Sequence, residues 1–217
     1  MPDFSENEEM YLKSIFEIHN ESPADIVKNT RLSEKMGISP ASTTEMIQRL
    51  SEREMITHIP YRGFRLTPEG FQLAASIKRR EVLLQILLSD IVGFQGDVAE
   101  VACKMEHAVG KDLETALDSL LGYPQTAPDG SSIPSMHRDF HEIGVGTLLP
   151  IEKLPEGYSS SVELIIANES EKITIREAGV SVGSEITNLG GKLTCSGNSL
   201  EFSREIGMKI LARVNSL

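Results

Sequence analysis

Apolar positions recur at helical spacing through the first half of the chain and change to alternation near its end. In EMYLKSIFEIHN, Tyr11, Leu12, Ile15, Phe16 and His19 fall three and four residues apart, which predicts a helix with one apolar face. Ser5 followed by Glu8 is a capping box that opens it. After a loop at Pro23, a short helix runs to about Met36, Gly37 makes a turn, and Ser39-Pro40 starts a second helix carried by Met46, Ile47 and Leu50 to Arg53-Glu54. Ile56–Ile59 and Gly63–Leu66 read as two short strands around a Tyr61-Arg62-Gly63 turn, and Thr67-Pro68 caps the next helix. Helix, helix-turn-helix, hairpin, helix is the element order of a winged helix-turn-helix.

Two long apolar helices follow, over 68–93 and 97–121, the second opened by an Asp97/Glu100 capping box and interrupted at Gly110. Val98, Val101, Ala102, Met105 and Val109 mark one face, and Leu113, Leu117, Leu120 and Leu121 continue it. These helices exceed what a small N-terminal core needs, and a homodimer interface is the simplest use for the surplus. From Tyr123 to Pro134 the composition turns to Pro, Gly, Ser and Asp and reads as a linker. Beyond it VELIIAN, KITIREAG, SEITNL, KLTCSG and LEFS alternate as short strands, with IGMKILARV as a last one, so a small β-barrel module is expected. The chain is thus predicted as mainly α with an α+β N-terminal part. The expected domains are a winged helix-turn-helix over 1–73, a helical dimerisation domain over 74–122, a linker over 123–146 and a small β-barrel over 147–217.

Composition narrows the function. The net charge of −11 over 217 residues argues against indiscriminate nucleic-acid binding, though a local cluster suffices for a DNA reader. No apolar run approaches the roughly 20 residues of a membrane span, and the acidic MPDFSENEEM has no signal-peptide pattern. With only Cys103 and Cys195, no disulfide framework is expected, and a reducing cytoplasm is the natural location.

The candidate chemistry lies in VACKMEHAVG. Cys103, Glu106 and His107, at i, i+3 and i+4, share one helix face. A thiolate, a carboxylate and an imidazole suit Fe(II), Co(II), Ni(II) or Zn(II) better than Mg(II) or Ca(II). The same residues also read as a small core cysteine beside a solvated Glu-His edge. A Cys103–His107 nucleophile is a third reading, but no oxyanion loop accompanies it. His137 and His141, at i and i+4, read as linker or helix-cap residues rather than ligands.

EMYLKSIFEI, SPASTTEMIQRLSEREMI, YRGFRLTPEG, LLSDIVGF and EVACKMEHAV, in that order, resemble the diphtheria-toxin-repressor family of iron-dependent repressors over about the first 121 residues, and more weakly to the end. The resemblance implies an Fe(II)-activated, homodimeric, cytoplasmic transcriptional repressor of metal-homeostasis genes that binds double-stranded operator DNA. It implies no enzyme and no membrane. It places a fourth metal ligand at Met10, joining Cys103, Glu106 and His107; Mn, Co, Ni or Zn can substitute for iron. The family's manganese-responsive branch has a carboxylate-rich set at these positions. The alternatives are a manganese- or zinc-responsive repressor of the same architecture, or a Cys-dependent or metal-buffering enzyme, which would bind no DNA with or without metal.

The family's ancillary site falls on Glu81, Gln85 and Ala99, with Glu169 and Glu171 in the C-terminal module, so its histidines are missing and any second site is expected to be built differently. The reading helix matches through Ser39, Pro40, Ala41, Ser42, Thr43 and Thr44, small residues whose hydroxyls suit phosphates and whose methyls suit thymine. Glu45 and Glu52 depart from the family's amide and Arg. Lys28, Arg31, Arg49 and Arg62 are the phosphate-contact candidates. The C-terminal module resembles an SH3-like barrel.

Overall fold

The computed structural model describes residues 4–136, 138 and 142–216, which leaves His137 and His141 outside the described residues. The chain divides into two units, the first comprising residues 1–80 and 134–138, the second 81–133 and 139–217.

In the first unit, α1 (Glu6–Glu21) begins as predicted. The Ser5 side chain accepts from Glu8 N, and Glu8 Oε2 accepts from Ser5 N at 2.9 Å. Helices α2 (Asn29–Met36) and α3 (Pro40–Glu52) are joined through Gly37, whose φ of 67° is the left-handed turn a glycine provides. Strands β1 (Ile56–Ile59) and β2 (Gly63–Leu66) pair antiparallel from Ile56↔Leu66 to Ile59↔Gly63. Helix α4 (Pro68–Ile86) follows, with Gly70 N donating to Thr67 Oγ1. The core collects Leu12, Ile15 and Phe16 of α1, Leu32 of α2, Leu50 of α3, Phe64 of β2 and Ala74 of α4. The winged helix-turn-helix is present as the pattern predicted.

In the second unit a π-helical stretch, Leu87–Val92, continues α4 and ends at Gly93. Helices α5 (Val98–Glu106) and α6 (Lys111–Leu120) flank the predicted break at Gly110. Asp97 caps α5 by accepting from Glu100 N; the Glu100 carboxylate is bonded to Lys104. Residues 124–133, expected as linker, form a turn closed by a Thr126↔Ser132 bridge, and Ala127 and Ile133 are buried in the same core as Leu83, Ala102 and Leu121.

The C-terminal module is a six-stranded antiparallel sheet in the order β3-β8-β4-β5-β6-β7, from β3 (Leu148–Pro150), β4 (Ser159–Ile165), β5 (Glu185–Leu189), β6 (Lys192–Cys195), β7 (Asn198–Ser199) and β8 (Ile210–Ser216). Its core includes Leu149, Val162, Ile186 and Ile210. KITIREAG, expected as a strand, is instead the body of helix α7 (Glu169–Glu177). Its Ile173/Ile175 alternation imitated a strand, but an Asn168/Glu171 capping box starts a helix, and only Ile175 is buried. IGMKILARV likewise splits into the end of helix α8 (Arg204–Met208) and strand β8. LEFS, residues 200–203, forms no strand: the strand ends before it, at Ser199, and Ser203 is the N-cap of α8.

Candidate metal centre and DNA-reading surface

The start of α3 is built for close approach. Ser39 is the N-cap, accepting from Ser42 N at 3.1 Å, and Pro40 occupies the first turn, where its missing N–H costs nothing. Ser39, Pro40, Ala41, Ser42 and Thr44 are exposed. Thr43 is not: its side chain is fully buried, and its hydroxyl donates to Ser39 O at 3.1 Å. Its expected place among the DNA contacts is corrected, because Thr43 shares the core-facing stripe of Met46, Ile47 and Leu50. Asn29, which sequence reasoning passed over, donates to Thr44 Oγ1 at 2.6 Å and to Pro40 O at 3.3 Å, fixing α2 against the first turn of α3. The signal was there: a carboxamide opens the first helix of a helix-turn-helix.

The basic candidates differ in how they are engaged. Lys28 is exposed at the N-cap of α2. Arg31 pairs with Glu21 at 2.8 Å, and Arg49 lies 3.5 Å from Glu45. Arg62 is exposed at the tip of the β1–β2 hairpin. Arg53, at the end of α3, donates to the buried Glu8 at 2.9 Å and covers the Phe4 ring at 3.6 Å. Burial pushes the Glu8 carboxyl up, but bonds from Ser5 and Arg53 more than offset this and hold it below the usual carboxylate range.

Met10 is half-buried on α1 in the first unit. In the second, Cys103 is half-buried on α5 and in no disulfide, Glu106 ends that helix with no exposed surface, and His107 is its C-cap. His107 Nε2 lies 3.8 Å from Glu106 Oε1. Among the described residues no three His, Cys, Asp or Glu side chains close into a metal-holding group. The helix thus brings Glu106 and His107 together and carries Cys103 one turn before them, without a completed ligand shell. The donor set nonetheless fits a borderline cation: a thiolate, a carboxylate and a neutral imidazole are ligands such an ion accepts.

The residues of the possible second site, Glu81, Gln85, Glu169 and Glu171, each have other engagements. Glu81, buried on α4, accepts from Gln85 Nε2 at 3.3 Å. Glu169 is bonded to Lys172 at 2.7 Å. Glu171 is spent twice, capping α7 through Asn168 N at 2.9 Å and pairing with Lys209 at 2.6 Å. Among the described residues no group of three His, Cys, Asp or Glu gathers there.

Residues 3–64 match the family description "Iron dependent repressor, N-terminal DNA binding domain", and residues 67–135 match "Iron dependent repressor, metal binding and dimerisation domain". The chain belongs to the iron-dependent repressor family. It is 29% identical to the diphtheria toxin repressor of Corynebacterium glutamicum, with 93% of each chain covered. It is 26% identical to the iron-dependent repressor IdeR of Mycobacterium bovis, covering 86% of this chain and 85% of that one. Among solved structures it is similar to the metal-dependent transcriptional regulator MtsR (TM-score 0.56, 22% identity, 99% of this chain and 100% of that one). It is also similar to a manganese-dependent transcriptional repressor in complex with manganese (TM-score 0.54, 23% identity, 95% and 99%). These two likenesses show the shared fold. As a member of the iron-dependent repressors, the chain is a metal-dependent transcriptional repressor, its DNA-binding domain carrying Met10 and the reading helix, and its metal-binding and dimerisation domain carrying Cys103, Glu106 and His107. No described helix is long and apolar enough to cross a membrane.

Proposed function

We propose that this repressor is a cytoplasmic homodimer activated by Fe(II), which Met10, Cys103, Glu106 and His107 hold, and that it reads operator DNA of metal-homeostasis genes. The observation that carries the reading is the fully buried Glu106 carboxylate beside His107, one turn after Cys103, inside the family's metal-binding domain. A bound divalent ion would place positive charge against this buried carboxylate. The thioether and thiolate favour a soft-to-borderline ion such as Fe(II) over Mg(II), and the naming of relatives such as IdeR as iron-dependent supports iron.

Within the first unit the route from ligand to reading helix is short. Met10 lies on the helix whose Leu12 and Ile15 pack in one core with Leu50 of α3, and Glu8, two residues before it, is bonded to Arg53 at the end of α3. Placement of Met10 therefore bears on placement of Ser39, Pro40, Ala41, Ser42 and Thr44, the groove-facing residues, with Lys28, Arg31, Arg49 and Arg62 for phosphates. Metal and DNA then raise each other's affinity by the same factor. The dimer is supported by Val92, Phe94, Met105 and Leu113, large apolar side chains left 38% to 55% exposed on this chain alone.

Titration with Co(II) tests the ligand set. The protein is expected to show a thiolate-to-cobalt absorption band that Cys103→Ser abolishes. Met10→Ala is expected to weaken the metal by roughly tenfold or more while leaving the dimer mass unchanged. Wild-type metal affinity in both variants would show that these side chains are core residues and not ligands.

A further inference from the structure

The hairpin between β1 and β2 carries a feature that neither metal binding nor groove reading uses. Its base is fixed: Phe64 exchanges both backbone bonds with Val27, at 2.9 and 3.1 Å. Gly63 has φ 132°, and a Cβ there would lie 2.1 Å from Val27 O, so only glycine lets the hairpin sit this close to the α1–α2 segment. Pro60, Tyr61 and Arg62 form the loop on that base. At its tip Tyr61 adopts φ 60°, a left-handed conformation that a bulky residue takes only under strain, and its side chain is completely exposed. Glycine or asparagine would occupy this position at lower cost. A fully solvated ring gives the fold nothing in exchange for the strain.

The surrounding charge says what the tip faces. From Met55 to Pro68 there are two arginines, Arg62 and Arg65, and no acidic residue, in a chain of net charge −11. The reading helix α3, by contrast, carries Glu45 and Glu52 against Arg49 alone. A polyanion is drawn to the hairpin more than to the helix.

We propose that Tyr61 is a DNA-backbone contact, its ring packed on a deoxyribose and its hydroxyl donating to a phosphate, beside a second phosphate neutralised by Arg62. The hairpin then supplies sequence-independent affinity that the acidic reading helix lacks, while α3 supplies sequence choice. The proposal rests on the DNA-binding reading above. It adds Tyr61 and a division of labour between the two elements.

The experiment uses the full-length, metal-loaded protein and fluorescence anisotropy with two duplexes of equal length, one from its own promoter region and one unrelated. Tyr61→Gly and Tyr61→Asn are expected to weaken both duplexes alike, by about fivefold to tenfold, and Tyr61→Phe by less. The thermal midpoints of Tyr61→Gly and Tyr61→Asn should hold or rise, because the strain is relieved. Arg62→Ala should lower the slope of log affinity against log salt by about one. Wild-type affinity for both duplexes in the Gly and Asn variants would overturn the contact. Loss on the promoter duplex alone would also overturn it, since the ring would then be reading sequence. A wild-type protein that binds DNA regardless of metal would sink the sensor reading instead, and the Tyr61 comparison would still decide the hairpin's role.

Discussion

Thr43 lies between Ser42 and Thr44, which are exposed at the start of the reading helix, yet it is fully buried and donates its hydroxyl to Ser39 O at 3.1 Å. Thr43→Val keeps the volume and removes that bond, so it should cost about 1 kcal/mol of stability. Operator affinity per folded molecule should stay at the wild-type value. Urea unfolding alongside DNA titration checks both, and an altered operator preference would return Thr43 to the groove-facing set. The phase was legible: Thr43, Met46, Ile47 and Leu50 recur at three and four residues, but a polar side chain hid the first member of that stripe. The Cys103, Glu106, His107 triplet was legible from spacing alone. That Glu106 is the buried member was not, because burial depends on residues distant in sequence.

Between elements, carboxylates on α1 hold the helix-turn-helix in place. Burial pushes Glu17 up, but Lys78 of α4 at 2.8 Å and Lys35 of α2 at 3.3 Å more than offset it, so its carboxyl sits below the usual range. Bonds from Lys35 and Arg31 likewise lower Glu21. A depressed carboxylate contributes stability that is present above its unfolded value, about 4.3, and is lost as pH falls through the folded value. Urea midpoints should therefore drop steeply below about pH 4.3. Glu17→Gln should flatten that drop and cost about 0.5–1 kcal/mol at neutral pH. An unchanged acid limb in Glu17→Gln would show that the network is ornamental. The residues behind each capping box explain why α1 was easier to read than the helix at KITIREAG. Ser5/Glu8 stood before a clear helical stripe, whereas Asn168/Glu171 stood before an alternating Ile173/Ile175 that also fits a strand. Lys209 then fixes α7 through Glu171, a partner 38 residues away that no local pattern reveals.

Across the molecule, the order of elements was legible through about residue 121, where each carries its own punctuation, and the family resemblance rests mainly on that part. The Pro-, Gly- and Ser-rich stretch from Tyr123 to Pro134 marked turns rather than freedom. Ala127 and Ile133 are buried, and Pro134 O and Met136 O accept from the buried Arg79 at 2.8 and 3.1 Å. Composition shows where a chain turns, and only tertiary packing shows whether the turn is held. Control of DNA binding by metal is read by an anaerobic anisotropy titration of the full-length protein on its own promoter region. Fe(II), Mn(II) and Zn(II) are added separately and then removed with chelator. Tight binding should appear with Fe(II) at lower concentration than with Mn(II), and chelator should reverse it. DNA binding of equal affinity in excess chelator and in saturating Fe(II) would mean that metal does not control this repressor.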